Sequence, residues 1–183
     1  MTDPKHILEE YLVTSARLGD QKARGDLVAL RGPRLLVHAT RLLGDVEEAR
    51  DVVQDAWIEI FRGLRGLRDV GAFPAWATRI VTRRCARFIR SKQKQRALAD
   101  ALIPEGPVAT QAAGPEAAEA TMIRRAIATL PRDQAATIAL FYLDDMNVAE
   151  VSVALDVPVG TVKTRLMHAR GKLKAILEGE NDD

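Results

Sequence analysis

The chain has 183 residues, 47% apolar, 28% charged and only 4% aromatic, with a formal net charge of +2; that is enough for one medium domain or two small ones. Its single cysteine, Cys85, excludes an intramolecular disulfide and any cysteine-based zinc site. No run approaches the ~18 apolar residues of a transmembrane helix, and the opening "MTDPKHILEEYL" is too charged for a signal peptide, so a soluble, cytoplasmic chain without membrane insertion is expected.

Alanine, leucine and arginine dominate, which favours helices and predicts an all-α fold. Ile7, Leu8, Tyr11, Leu12 and Leu18 recur with helical spacing, and Gly19-Asp20 ends that run. A second helix is predicted over about 21–43, with Gly32-Pro33 expected to kink or interrupt it. Asp45 and Glu48 open a third, about 46–62, with Val52, Val53, Ala56, Trp57, Ile60 and Phe61 on its buried side. A glycine-containing loop leads to a fourth helix near Pro74, running to about Gln95. Trp76, Ile80, Val81, Cys85, Phe88 and Ile89 lie on its inner side.

Residues 97–121 change character, with Pro104, Pro107 and Pro115, four acids and no base, and read as a flexible linker. The expected organisation is two small helical domains, 1–96 and 122–178, on either side of it. In the second, Asn147 and Glu150 form a capping box, "DVP" makes a turn, and the last helix carries Val162, Leu166, Ala169, Leu173 and Leu177 at core spacing. Two short helices with a tight turn, the second more basic, predict a helix-turn-helix. Lys163, Thr164, Met167 and His168 then face outward near the start of the second helix, where side chains reach base edges. Arg165, Arg170, Lys172 and Lys174 flank them.

Charge is segregated upstream. Residues 45–59 hold Asp45, Glu47, Glu48, Asp51, Asp55 and Glu59 against Arg50 alone. Residues 62–96 hold eleven bases against Asp69 alone, a concentration that self-repels unless an anionic partner neutralises it. Phe73, Trp76 and Phe88 are candidates to stack on bases or to fill the core. An acidic face beside a basic one suggests a protein partner for the first and DNA for the second.

Three stretches resemble the extracytoplasmic-function (ECF) group of bacterial sigma factors. They are "HATRLLGDVEEARDVVQDAWIEIFRGL", "FPAWATRIVTRRCARFIR" and "IATLPRDQAATIALFYLDDMNVAEVSVALDVPVGTVKTRLMHARGKL". The resemblance implies sigma domain 2 at 1–96 and sigma domain 4 at 122–178. It implies RNA polymerase core as partner, contacted at the largest-subunit clamp helices through Asp51, Gln54 and Asp55, and at the flap region. It assigns capture of a flipped −10 base to the loop 67–73, and −10 binding and melting to Arg79, Arg83, Arg84, Arg87 and Arg90. It assigns −35 recognition to Lys163, Thr164, Arg165 and His168, and adds promoter DNA and an anti-sigma factor as partners. Arg50, Arg83, Ala135, Ala136, Asp156 and His168 depart from the family pattern; Asp156 stands where helix-turn-helix turns commonly carry glycine.

No catalytic or cofactor site is expected. His6, His38 and His168 lack ligand spacing, no phosphate loop is present, and Asp144-Asp145 read as turn residues. The competing readings are a free-standing helix-turn-helix regulator and a helical protein-binding module. An acidic helix beside the basic segment, in place of a ligand pocket, favours the sigma factor.

Overall fold

A computed structural model describes residues 4–99 and 118–179, with side chains over 6–97 and 123–176. The described residues form helices α1 (Pro4–Arg17), α2 (Gln21–Leu43), α3 (Val46–Gly63), α4 (Phe73–Ala99), α5 (Ala118–Ala128), α6 (Arg132–Tyr142), α7 (Val148–Leu155) and α8 (Val159–Gly179), with two 3-10 turns between α3 and α4. The all-α reading holds, as two helical clusters, α1–α4 and α5–α8.

Local chemistry sets the boundaries. The Asp20 carboxylate accepts from the Lys22 and Ala23 amides at the start of α2, and Gly44 ends that helix at φ 80 with its N–H on the Thr40 carbonyl. Asp45 then accepts from the Glu48 amide to start α3. α2 passes through Pro33 without interruption, contrary to expectation. Proline removes the donor for the Ala29 carbonyl, but Ala29 and Pro33 both lie on the exposed side, where water can take that carbonyl.

α1 is turned differently from what its apolar recurrence suggests. Ile7, Leu8, Tyr11 and Leu18 are exposed, whereas Leu12, Val13 and Ala16 enter the core together with Glu9. Glu9 is inside because Arg31 of α2 is inside as well. The guanidinium donates through Nε to Oε1 at 2.6 Å and through a second nitrogen to Oε2, a bidentate pair that satisfies both charges. α3 and α4 bury the predicted faces: Ala49, Val52, Val53, Ala56, Trp57 and Ile60 from one, Phe73, Ala77, Ile80, Val81 and Cys85 from the other. Gly63 lets α3 and α4 approach closely, since a Cβ there would lie 3.0 Å from the Trp76 ring and would press on it. Phe73 is fully buried, so it is a core residue and not a base-stacking one. Trp76 and Phe88 are partly buried against the same core. Cys85 is also buried, and loss of solvation pushes its thiol up to about 12.

The second cluster centres on Ile138, Leu140, Val151, Val162 and Ala169, with Leu173 packed at its margin; the Leu177 side chain lies outside the described residues. Its core also takes in Ala75 of α4, and Leu42 of α2 packs against it. Of the expected linker, α4 takes the first residues and α5 the last, and 100–117 lie outside the described residues. Among the described residues no helix is long and apolar enough to cross a membrane.

Candidate nucleic-acid and polymerase interface

α7 begins with a complete capping box. Asn147 accepts from the Ala149 and Glu150 amides, and Glu150 accepts from the Asn147 amide at 2.7 Å. It ends at Asp156, whose φ of 56 is the left-handed conformation that a glycine adopts without strain and that aspartate tolerates. The Ser152 hydroxyl donates to the Val157 carbonyl at 2.6 Å and fixes the chain as it leaves the turn. Pro158 precedes the first residue of α8, consistent with proline's preference for helix starts.

This turn sets the register of α8. Val162, Leu166 and Ala169 are buried, so Lys163, Thr164, Met167 and His168 share the exposed face. The Thr164 hydroxyl donates to the Gly160 carbonyl at 3.0 Å, leaving its oxygen as an outward acceptor and its methyl free for apolar contact. Arg165 is placed apart from this group, with its Nε 3.2 Å from Asp133 of α6. Arg170 lies over the rings of Phe141 and Tyr142 and donates to the Tyr142 hydroxyl at 2.8 Å.

The five arginines assigned to the −10 region divide into three groups along α4. Arg79 and Arg83 reach across to Asp156. Arg79 donates to Oδ1 from Nε at 3.0 Å and from a terminal nitrogen at 2.7 Å, and Arg83 donates from Nε to Oδ2 at 2.9 Å. The two guanidinium groups hold the Asp156 carboxyl below the usual carboxylate range. Arg84 turns the other way, donating to Glu59 at 2.9 Å and to Asp55 at 3.2 Å on α3. Arg87 and Arg90 are exposed. The loop 67–73 splits likewise: Leu67 and Phe73 are buried, while Arg68, Asp69, Gly71 and Ala72 are exposed. Asp69 accepts from the Gly71 amide at 2.9 Å, which stiffens the turn.

On α3, Asp51, Gln54 and Asp55 lie together on the outer face, opposite Val52, Val53 and Ala56. Asp55 stays largely exposed despite its contact with Arg84. Glu48 pairs with Lys92 of α4, so part of the acidic strip serves to hold α4 beside α3.

The sequence gives no sign of a polar relay between the clusters. Thr82 of α4 contacts the carbonyls of Thr78 at 3.0 Å and Ala154 at 2.7 Å, and His38 Nε2 at 2.9 Å. A hydroxyl has one proton, which these carbonyls take, so His38 Nε2 carries its own proton and donates to Thr82. Burial, aided by Arg41, lowers the His38 imidazole to about 3, in agreement with that neutral form. Neither this relay nor the Asp156 contacts follow from local pattern, since 77 positions separate Arg79 from Asp156. Asp156 at a glycine-like turn position is the only sequence signal near them.

A model of Sigma-70 region 2 matches residues 27–95, and one of Sigma-70, region 4 matches residues 120–173. The chain is 28% identical over 179 residues to the ECF RNA polymerase sigma factor SigW of Bacillus subtilis, covering 88% of this chain and 92% of that one. It is 29% identical over 179 residues to the ECF RNA polymerase sigma-E factor of Escherichia coli K12, covering 91% and 92%. Among solved structures it resembles CnrH in complex with the cytosolic domain of CnrY, with TM-score 0.61, 24% identity and coverage of 94% and 98%. It also resembles the sigma factor RpoE in complex with the anti-sigma factor NepR from Bartonella quintana, with TM-score 0.70, 21% identity and coverage of 84% and 96%.

Proposed function

This chain belongs to the ECF group of the sigma-70 family and directs core RNA polymerase to promoters, and on that premise we propose which of its surfaces do so. Residues 1–96 act as domain 2, 97–121 as the linker and 122–178 as domain 4. Lys163, Thr164 and His168 read the −35 element from the exposed face of α8. Their backing by Val162, Leu166 and Ala169 is the observation that carries this assignment, because it leaves them a rigid and shared outward direction. Arg165, held at Asp133, acts from the flank on the phosphate backbone.

Arg79, Arg83, Arg87 and Arg90 receive the −10 region, with Arg84 placing α4 against α3 while remaining near enough to add to the field. The exposed turn around Arg68 to Ala72 leads into the start of α4 and captures an unstacked base. Asp51, Gln54 and Asp55 present the acidic face to the clamp helices of the largest polymerase subunit, and domain 4 meets the flap region. Promoter opening here is not a covalent step; binding energy traps separated bases. The two solved relatives, each determined with a protein bound, support an anti-sigma factor as a further partner.

Transcription with purified core enzyme on a library of promoter fragments tests this reading. Start sites should appear only with this chain added, and they should share a −35 and a −10 sequence. Binding to DNA without association with core would instead favour a free-standing regulator.

A further inference from the structure

We propose that α1 is a self-association helix: two copies of this chain pair through it, antiparallel and about a two-fold axis, with Ile7, Tyr11 and Leu18 along the seam. α1 carries none of the residues assigned to DNA or to polymerase, so this role is independent of theirs.

The apolar residues of α1 fall on two opposite faces. Leu12, Val13 and Ala16 are buried in the first cluster. Ile7, Tyr11 and Leu18 are 57%, 66% and 86% exposed, with Leu8 beside them at 49%. A helix with one face in the core ordinarily turns polar residues outward, but this one carries large apolar side chains on its outer face as well. Ile7, Tyr11, Thr14 and Leu18 follow one another at intervals of four, three and four, the seam spacing by which one helix packs along another. Leu18 lies just past the end of α1 but keeps its register, since its amide donates to the Thr14 carbonyl at 3.3 Å. The Thr14 hydroxyl donates to the Glu10 carbonyl at 2.8 Å, so its one proton is satisfied within the helix and its methyl is left to the seam.

Two features select a second copy as the occupant of this face. The first is charge. Glu10 and Arg17 lie on the same flank of the stripe, two turns apart, and among the described residues neither side chain has an ion-pair partner. A two-fold axis normal to both helices keeps that flank on the same side in the two copies. Setting Ile7 against the partner's Leu18, and Tyr11 against the partner's Thr14, places Glu10 about 3 Å along the axis from the partner's Arg17. Helical side chains lean towards their own N-termini, so in antiparallel helices these two lean towards each other. Symmetry makes the contact twice. A parallel pair would set Glu10 against the partner's Ser15 and gain no ion pair. The second feature is size. The exposed parts of Ile7, Leu8, Tyr11 and Leu18 amount to roughly 500 Å² per copy, so the pair would bury about 1,000 Å², the lower limit of a specific interface. That area suits a reversible pair and falls short of an obligate dimer.

Sedimentation velocity of the full chain, from about 1 to about 300 µM, tests the pairing. The parent should pass from monomer to dimer with a midpoint of about 10–100 µM. Ile7→Ser with Leu18→Ser, both at exposed positions, should stay monomeric throughout while its thermal midpoint at low concentration matches the parent's. Glu10→Arg alone and Arg17→Glu alone should each weaken association about five- to twentyfold, because symmetry removes two ion pairs per substitution and sets like charges together. An equimolar mixture of these two single variants should recover the parent's affinity, since the pairs re-form between unlike copies, and so should the chain carrying both substitutions. A parent that is monomeric at the highest concentration, or a dimer indifferent to Ile7→Ser with Leu18→Ser, would overturn the assignment of α1. Charge reversals without effect, or without recovery in the mixture, would overturn the antiparallel arrangement.

Discussion

Glu9 of α1 and Arg31 of α2 meet as a bidentate ion pair shielded from water on both sides, with side-chain exposures of 7% and 6%. A buried pair of this kind contributes little relative to well-packed apolar residues, but removing one partner leaves an uncompensated charge in the core. Glu9→Ala should therefore destabilise the fold by about 3–5 kcal/mol, seen as a lower midpoint in urea or thermal unfolding. Glu10→Ala, on the exposed side of the same helix, should leave the midpoint within about 0.5 kcal/mol. Equal effects from the two substitutions would mean that Glu9 is not held by Arg31 in solution.

Replacing Lys163 by alanine should alter which −35 sequences the holoenzyme uses, by about 1–3 kcal/mol at one base position if its contact is a good one. Lys172→Ala, more than two turns further along α8, should weaken promoter binding more evenly and reduce its dependence on salt. Transcription from a library of −35 variants separates the two outcomes. An unchanged preference in the combined Lys163→Ala, Thr164→Ala and His168→Ala chain would remove α8 from sequence readout.

The acidic face of α3 offers a cleaner contrast than its charge pattern suggests. Asp51 and Gln54 are exposed, whereas Asp55 also touches Arg84. Asp51→Ala with Gln54→Ala should weaken association with core polymerase while leaving thermal unfolding nearly unchanged. Adding Asp55→Ala should lower stability by no more than about 1 kcal/mol, the range for an exposed pair, because Glu59 still holds Arg84. Titration of labelled core enzyme, run beside a melting curve, measures both.

His38 predicts a dependence of stability on pH. Its folded value is lowered to about 3, whereas an unfolded histidine titrates near ~6.5. The unfolded chain therefore binds the proton first as pH falls. Stability is complete above ~6.5 and declines by about 1.4 kcal/mol per pH unit below it, until the folded imidazole is also protonated. His38→Asn, which cannot take that proton and still offers an amide to Thr82, should flatten the slope between pH 6 and pH 5 in urea titrations. An unchanged slope would assign it to other groups.

Much of this architecture is local and was open to reading in advance. Asp45 and Asn147 cap their helices because a short side chain can reach free amides two or three residues ahead. Val162, Leu166 and Ala169 face inward because a helix repeats every 3.6 residues, and that periodicity alone puts Lys163, Thr164 and His168 outside. The acidic and basic blocks are likewise visible in the chain itself.

Tertiary packing decided what periodicity could not. The apolar recurrence of Ile7, Leu8, Tyr11, Leu12 and Leu18 gave α1 its conformation, but of these only Leu12 is buried, because it enters the groove with Val13 and Ala16 and Arg31 offers Glu9 a partner inside it. Phe73 went to the core and not to a stacked base. Five arginines that look equivalent along α4 were divided among three destinations, and which one faces Asp156, Asp55 or open solvent depends on the helices packed on either side. Helical spacing assigns a side chain its angle about its own axis; only the neighbouring helices determine what lies in that direction.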